Sequence, residues 1–229
     1  EYMKSRGISE EITRKYEITV QTNNPKILVF PFKDEKGKLV CVKYRKTDFN
    51  KDRDKNKEWF MKNTQPILFG MNHCVNFDRL IITEGQIDSL SVAEAGFENA
   101  VSVPTGAGGF KWLADCMSWI TKFKEIIVFG DCEHGSITLI DSLAARLPKD
   151  ITVKCVRAKD YLGEKDANDI LRKFGPRAIS DCIENAEVPK LENVKQLADV
   201  QAVDINKMDK IETGIRDLDR VIKGFAMGQ

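Results

Sequence analysis

No run of apolar residues in the chain approaches the ~18–20 needed to cross a bilayer, and no basic segment followed by an apolar stretch opens it. Neither a membrane span nor a secretion signal is expected. The six cysteines (41, 74, 116, 132, 155 and 182) stand singly, without a C-x-x-C pair, and there are only two histidines, His73 and His134. That pattern argues against a zinc ribbon or a disulfide framework and for the reduced thiols of a cytosolic protein. Internal repeats and low-complexity tracts are lacking. So is a G-x-x-x-x-G-K-[ST] loop: Thr105-Gly-Ala-Gly-Gly-Phe-Lys111 has neither the spacing nor the final hydroxyl, which excludes an ATP-driven motor from these residues and favours a strand-to-helix turn. What remains is 229 residues with 42% hydrophobic and 31% charged side chains, enough for a globular protein of one or two domains with a real core.

The net charge of +1 conceals a gradient. Residues 1–78 hold 16 Lys and Arg against 11 Asp and Glu, which leaves 20 against 24 for the rest; residues 36–63 alone hold 10 against 4. A basic first third followed by an acidic remainder suits a part that holds a polyanion joined to a part that collects carboxylates for metal, although a solvated charged loop is the simpler reading of the basic run. The chain begins at Glu1 and ends at Gln229 without a terminating signal, as expected of a piece of a longer protein.

Three segments are expected. In residues 1–78, Ser9-Glu10-Glu11 marks a helix start, and the β-rich runs 27–32 and 38–45 flank the turn Asp34-Glu-Lys-Gly37. Residues 46–63 have no period and are predicted to be a mobile surface loop. From 79 to 188, four short apolar strands (80–83, 100–103, 125–129 and 151–156) alternate with helices near 86–95, 110–121 and 136–147 and with a helical stretch, 167–186, broken at Gly175-Pro176. Apolar strands separated by helices predict an α/β domain with a parallel sheet covered on both faces. From 189 to 229, Leu191, Val194, Leu197 and Ala198 form a narrow apolar stripe that suits an amphipathic linker helix.

Open parallel sheets place their ligands beyond the carboxyl ends of the strands. The first strand is followed by Glu84-Gly85, with Asp88 one helical turn on; the third by Gly130-Asp131-Cys132-Glu133-His134-Gly135; the fourth, further along, by Lys165-Asp166-Ala-Asn-Asp169. Singly, such acids cap helices or complement their dipoles. Delivered together to one rim they repel one another unless a hard cation neutralises them, and oxygen ligands of this kind suit Mg²⁺ or Mn²⁺. His134 beside them is either a ligand or an exposed turn residue. Trp59 and Phe60, between Lys57 and Lys62, either stack on bases or pack the loop.

Ile82-Thr-Glu-Gly-Gln-Ile-Asp88, Val128-Phe-Gly-Asp-Cys-Glu-His-Gly135 and Lys165-Asp-Ala-Asn-Asp169 resemble the motifs of the Toprim domain shared by bacterial-type primases, topoisomerases and some nucleases. The segments 30–45 and 68–70 look like the basic half of a primase core, and 212–228 is similar to the entry into the RecA-like motor of ring helicases. The whole pattern resembles the phage-type primase-helicases, the family that includes the mitochondrial helicase Twinkle. The resemblance implies a Toprim Rossmann-like α/β fold preceded by a smaller basic α+β subdomain (1–78), with the Toprim domain at 79–188 and a linker plus helicase entry at 189–229.

In function it implies metal-dependent synthesis of RNA primers on single-stranded DNA from ribonucleoside triphosphates. Glu84, Asp131 and Lys43 would be catalytic, and Glu84, Asp131, Glu133 and Asp88 would hold Mg²⁺ or Mn²⁺. Lys43, Arg45, Lys57, Lys62, Asp166 and Asp169 would meet nucleotide or DNA. The partners implied are the protein's own helicase domain and neighbouring subunits of a ring, the setting the cytoplasm of a bacterial or phage-infected cell rather than the mitochondrial matrix; this fragment alone is expected to be a monomer. One departure stands out: the family's Asp-x-Asp is here Asp131-Cys132-Glu133, and an alternative register sets Gly130 opposite the first acid, leaving a degenerate metal site. Two alternatives therefore stay open, a non-catalytic Toprim module that binds single-stranded DNA and spaces a replicative helicase, and a Toprim nuclease.

Overall fold

The computed structural model describes residues 1–189, 210–222 and 225–226. Glu1–Pro189 form one compact unit and Lys190–Gln229 a second. In the second, the described residues comprise a two-residue antiparallel pair, Lys210–Ile211 with Phe225–Ala226, and a helix, Arg216–Ile222. The linker helix expected at Leu191–Ala198 lies outside the described residues.

The first unit starts with two short helices, α1 (Tyr2–Ser5) and α2 (Glu10–Lys15). The side chain of Ser9 accepts the Ile12 N–H, the N-cap bond that its position before Glu10-Glu11 predicts. An antiparallel sheet follows in the order β1 (Thr19–Gln21), β2 (Asn24–Lys33), β3 (Leu39–Lys46), β4 (Glu58–Phe60). Alternation along β2 buries Leu28, Phe30 and Phe32, and on β3 it turns Cys41 and Lys43 to the same inner face. β4 corrects the expectation of an aperiodic loop over 46–63. Three residues are too few to show a period, and this strand is specified by its partner: Glu58 pairs with Arg45, Trp59 with Tyr44 and Phe60 with Lys43. Trp59 stacks on Tyr44 (5.5 Å, 20°) on one face, while Phe60 sets its edge against Phe32 (5.5 Å, 69°) on the other.

The second sheet is parallel, in the order β6 (Ala100–Ser102), β5 (Arg79–Thr83), β7 (Glu125–Phe129), β8 (Thr152–Cys155). Its helices are α3 (Gln86–Glu94), α4 (Lys111–Ile120), α5 (Thr138–Ala144), α6 (Ala167–Phe174) and α7 (Pro176–Glu184), the last two divided at Gly175-Pro176. β5, β6 and β7 are buried on both faces beyond their first residues while β8 is only partly covered, and α3, which packs against β5, β6, α6 and α7, is buried from Gln86 to Ala93. Both outer strands are closed by short antiparallel bridges. Phe69 and Ser102 exchange N–H···O bonds (3.0 and 3.1 Å) on the β6 side, as do Cys155 and Glu187 (2.8 and 3.0 Å) on the β8 side. Phe69 also meets Phe30 and Phe32 edge-on, and one hydrophobic core runs continuously from the antiparallel sheet into the parallel one.

Candidate metal and nucleotide site

The carboxyl ends of β5 and β7, the first turn of α3 and the lead-in to α6 converge. Carboxylate oxygens of Asp88, Asp131 and Asp166 lie within 4.8 Å of one another, close enough to share one cation. Each is placed by a local device. Asp88 follows the extended Gly85 at the start of α3, where its Oδ1 accepts the Asn168 N–H (3.1 Å). A Cβ on Gly85 would fall 2.5 Å from Asp88 Oδ2, so the glycine leaves room for the carboxylate. Asp166 is the N-cap of α6, its Oδ1 accepting the Asp169 N–H (2.8 Å). Asp131 follows Gly130, whose carbonyl accepts the buried Tyr161 hydroxyl (2.6 Å) and where a Cβ would fall 3.0–3.1 Å from Ile137 and Leu139.

Burial, then the Asp166 and Asp131 charges, holds the Asp88 carboxyl well above its ordinary range. Burial and Glu84 raise Asp131 in the same direction, against Lys165. Three carboxylates brought this close repel one another, which makes a hard cation the fitting occupant.

Glu84 stands beside this cluster in a bridging role. Its Oε1 accepts the Ala107 N–H (3.2 Å) and its Oε2 the Asp131 N–H (3.3 Å), so one side chain ties the Thr105–Gly109 loop to the acid loop. Glu133 is exposed. Its N–H and C=O exchange bonds with Ser136 (2.9 Å each) around His134 and Gly135, both at positive φ, so His134 occupies an exposed turn. The Lys165 ammonium pairs with Asp131 Oδ2 (3.1 Å) and Glu133 Oε1 (2.8 Å), holding Glu133 below its ordinary value. Asp169 belongs to the first turn of α6, 3.6 Å from Arg172, and lies outside the triad.

A cleft of about 430 Å³ opens between β3–β4 and the strand ends, lined by Lys43, Glu58, Phe60, Glu84, Gln86 and Thr105 among others. Lys43 is 7% exposed, and its ammonium donates to Gln86 Oε1 (2.9 Å) and the Pro104 carbonyl (3.1 Å) and pairs with Glu58 Oε2 (2.6 Å). It is therefore a strut joining the two sheets. The partners of this pair respond differently. Burial outweighs the Glu58 charge and lowers Lys43, whereas on Glu58 the charges of Lys43, Arg45 and Lys57 overcome burial and hold the carboxyl low. The attraction thus only partly offsets desolvation of the ammonium, as is usual for buried pairs.

Arg45 bonds Glu58 Oε1 through one terminal nitrogen (2.7 Å), while its buried Nε has no partner. Lys57, open to solvent at its tip, is held below its ordinary value by partial burial and by Arg45, Arg6 and Lys165 nearby. Lys62 is exposed and does not line the cleft. Arg6 is the residue the sequence reading missed. Its backbone carbonyl accepts the Asn168 amide (2.7 Å), and its Nε is also buried without a partner. It lies outside the basic run and meets its neighbours across 162 positions, so no local pattern announces it.

Residues 81–171 match the Toprim-like family model. Among curated proteins, the chain is 28% identical over 205 residues to a primase homolog protein of Arabidopsis thaliana, covering 82% of this chain and 58% of that protein. It is also 28% identical over 205 residues to the chloroplastic/mitochondrial Twinkle homolog of the same plant, at 82% and 28% coverage. The chain thus spans less than two thirds of each of these two relatives' own length. Among solved structures it superposes on the primase fragment of the bacteriophage T7 primase-helicase protein with a TM-score of 0.61 at 25% identity, covering 79% of this chain and 72% of that one. Residues 81–171 thus carry a Toprim-like domain, in a chain that is similar over 82% of its length to a primase homolog and over 79% to a phage primase-helicase fragment.

Proposed function

We propose that the chain is the nucleotidyl-transfer core of a primase, joining ribonucleotides on a single-stranded DNA template. The observation that carries this reading is the triad Asp88, Asp131 and Asp166 within 4.8 Å, with Arg45 from the basic first third near enough to bear on Asp88. Asp88, Asp131 and Asp166 would hold a divalent cation such as Mg²⁺ or Mn²⁺, which would supply charge neutralisation at the phosphates and a lowered pKa for the attacking 3′ hydroxyl. Glu84 and Asp131 are the acids assigned to the reacting centre, with Glu133 at its rim. Arg45, Lys57 and Arg6 are assigned to triphosphate or template phosphates, because two of them carry buried guanidinium nitrogens awaiting an acceptor. Lys43 shapes the cleft wall between them, and Lys62 extends the basic track for template, whose binding then weakens with salt.

In this reading residues 1–78 are the basic half, 79–188 the Toprim half and 189–229 the passage to a helicase domain that assembles with neighbouring subunits. The names of the Twinkle homolog and of the phage primase-helicase support that setting. Among the described residues no helix is long and apolar enough to cross a membrane. The six free cysteines suit a reducing compartment such as the cytoplasm of a bacterial or phage-infected cell.

The test is template-dependent formation of a dinucleotide from ribonucleoside triphosphates with Mn²⁺, by this chain and by the longer protein. The product should form and should be lost in Asp131→Asn; its absence from the longer protein would overturn the enzymatic reading. A second reading, a Toprim module that binds DNA and spaces a helicase without synthesis, is favoured by Glu133 in the acid pair and by the Lys165 ammonium lying on that pair. It predicts single-stranded DNA binding with no product.

A further inference from the structure

The acid pair after β7 already has a cation of its own. Lys165 Nζ bridges Asp131 Oδ2 and Glu133 Oε1, while the Lys165 carbonyl accepts the Cys132 N–H (2.7 Å), so the lysine is fastened to the acid loop by both backbone and side chain. On the other side of Asp131, the Asp88 and Asp166 carboxylates have no ammonium or guanidinium among the ion pairs of the described residues. One carboxylate is thus shared between a filled position toward Glu133 and an unfilled one toward the triad.

We propose that Lys165 is a resident counter-ion that sets how many divalent cations the protein takes up: one ion at Asp88, Asp131 and Asp166, and none at Asp131 and Glu133 until the ammonium leaves. The inference rests on the triad being a metal site. An ammonium bearing on both carboxylates of a pair repels a dication brought to the same oxygens, and releasing it should tighten the position by about tenfold even with the strong screening of an exposed pair. The lysine side chain is half-exposed and long, so it can swing away while the backbone bond from Cys132 keeps the loop in place.

The experiment counts Mn²⁺ by electron paramagnetic resonance, with no nucleotide present, on the whole chain and on Lys165→Met, Lys165→Arg, Glu133→Gln and the double variant Lys165→Met/Glu133→Gln, with thermal melting to verify folding. Wild type, Lys165→Arg and Glu133→Gln should each take up one ion. Lys165→Met should gain a second, bound at least about tenfold more tightly than any second ion of the wild type, and the double variant should lose it again. One ion in wild type and in Lys165→Met at equal affinity would overturn the role of Lys165 alone. Two tight ions in the wild type would do the same. No Mn²⁺ in any of the proteins would overturn the metal reading of the triad, and this inference with it.

Discussion

The Lys43–Glu58 strut makes an asymmetric demand on stability that two substitutions can measure. Glu58→Gln leaves the ammonium of Lys43, a residue only 7% exposed, with neutral acceptors alone, among them Gln86 Oε1 and the Pro104 carbonyl. Breaking a buried pair from one side costs ~3–5 kcal/mol, and because Glu58 is itself about a quarter exposed the lower end, about 3 kcal/mol, applies. Lys43→Met leaves Glu58 its 2.7 Å bond to Arg45 and removes donors from two neutral oxygens, a loss of about 1–2 kcal/mol. The double variant removes the ammonium as well as the carboxylate, so it should be more stable than Glu58→Gln alone by about 1 kcal/mol.

Urea unfolding of the three variants at pH 7, with unchanged denaturant slope, reads these differences directly. If Lys43→Met is the worse single variant, or if the double variant is the least stable, Lys43 is not the desolvated partner and the account of the cleft wall fails. The pH dependence has a definite sign. Glu58 is held below its ordinary 4.5, so its contribution is fully present above that pH and is lost as pH falls through the folded value. The stability gap between wild type and Glu58→Gln should therefore narrow below pH 4.5 and stay constant between 5 and 8, the range in which Glu58 remains ionised.

Gly85→Ala keeps an ordinary extended backbone but sets a Cβ 2.5 Å from Asp88 Oδ2, so the carboxylate must swing out. Mn²⁺ affinity should drop at least tenfold while the urea midpoint corresponds to a change of no more than about 1 kcal/mol; unchanged affinity would contradict the placement of Asp88 in the triad. Tyr161→Phe deletes the hydroxyl that holds the Gly130 carbonyl at 2.6 Å and should cost about 1–2 kcal/mol in thermal or urea unfolding. Burial pushes the thiols of Cys74, Cys155 and Cys182 up to about 12 and that of Cys116 up to about 11, so a thiol reagent at pH 8 should modify the half-buried Cys132 first, as read by peptide mass; early labelling of Cys74 would refute the buried core drawn around it.

Much of the parallel half was legible along the chain because its signals are local. Apolar runs of four or five residues, Gly175-Pro176 and the acids immediately after strands each declare themselves within a few positions. The antiparallel half was legible only where a turn joined its strands. β4 has three residues and draws its identity from Tyr44, Lys43 and Arg45 opposite, which no window over 46–63 contains. The same reason explains why Asp166, named among the rim acids, is assigned from sequence to nucleotide rather than to the metal cluster. Asp166 reads locally as a helix cap, which it is, and only the fold brings its carboxylate to Asp88, 78 positions earlier. Lys43 is assigned to the site by resemblance, whereas its burial against Gln86 and Pro104 follows from packing between the two halves.

The bridge between Phe69 and Ser102 bears on how the protein can be cut. A parallel sheet with an open outer strand offers its N–H and C=O groups to any other chain, and here β6 is covered by residues that precede the sheet in sequence while β8 is covered by Glu187 behind it. A fragment begun at residue 79, where the sequence pattern changes, would contain every strand of the parallel sheet yet leave β6 uncapped and Phe69 absent from the core. Such a fragment should associate or precipitate where one carrying residues 1–189 stays dispersed. The place to cut is therefore expected to follow the covering of a sheet edge rather than the limits of the motif-bearing segment.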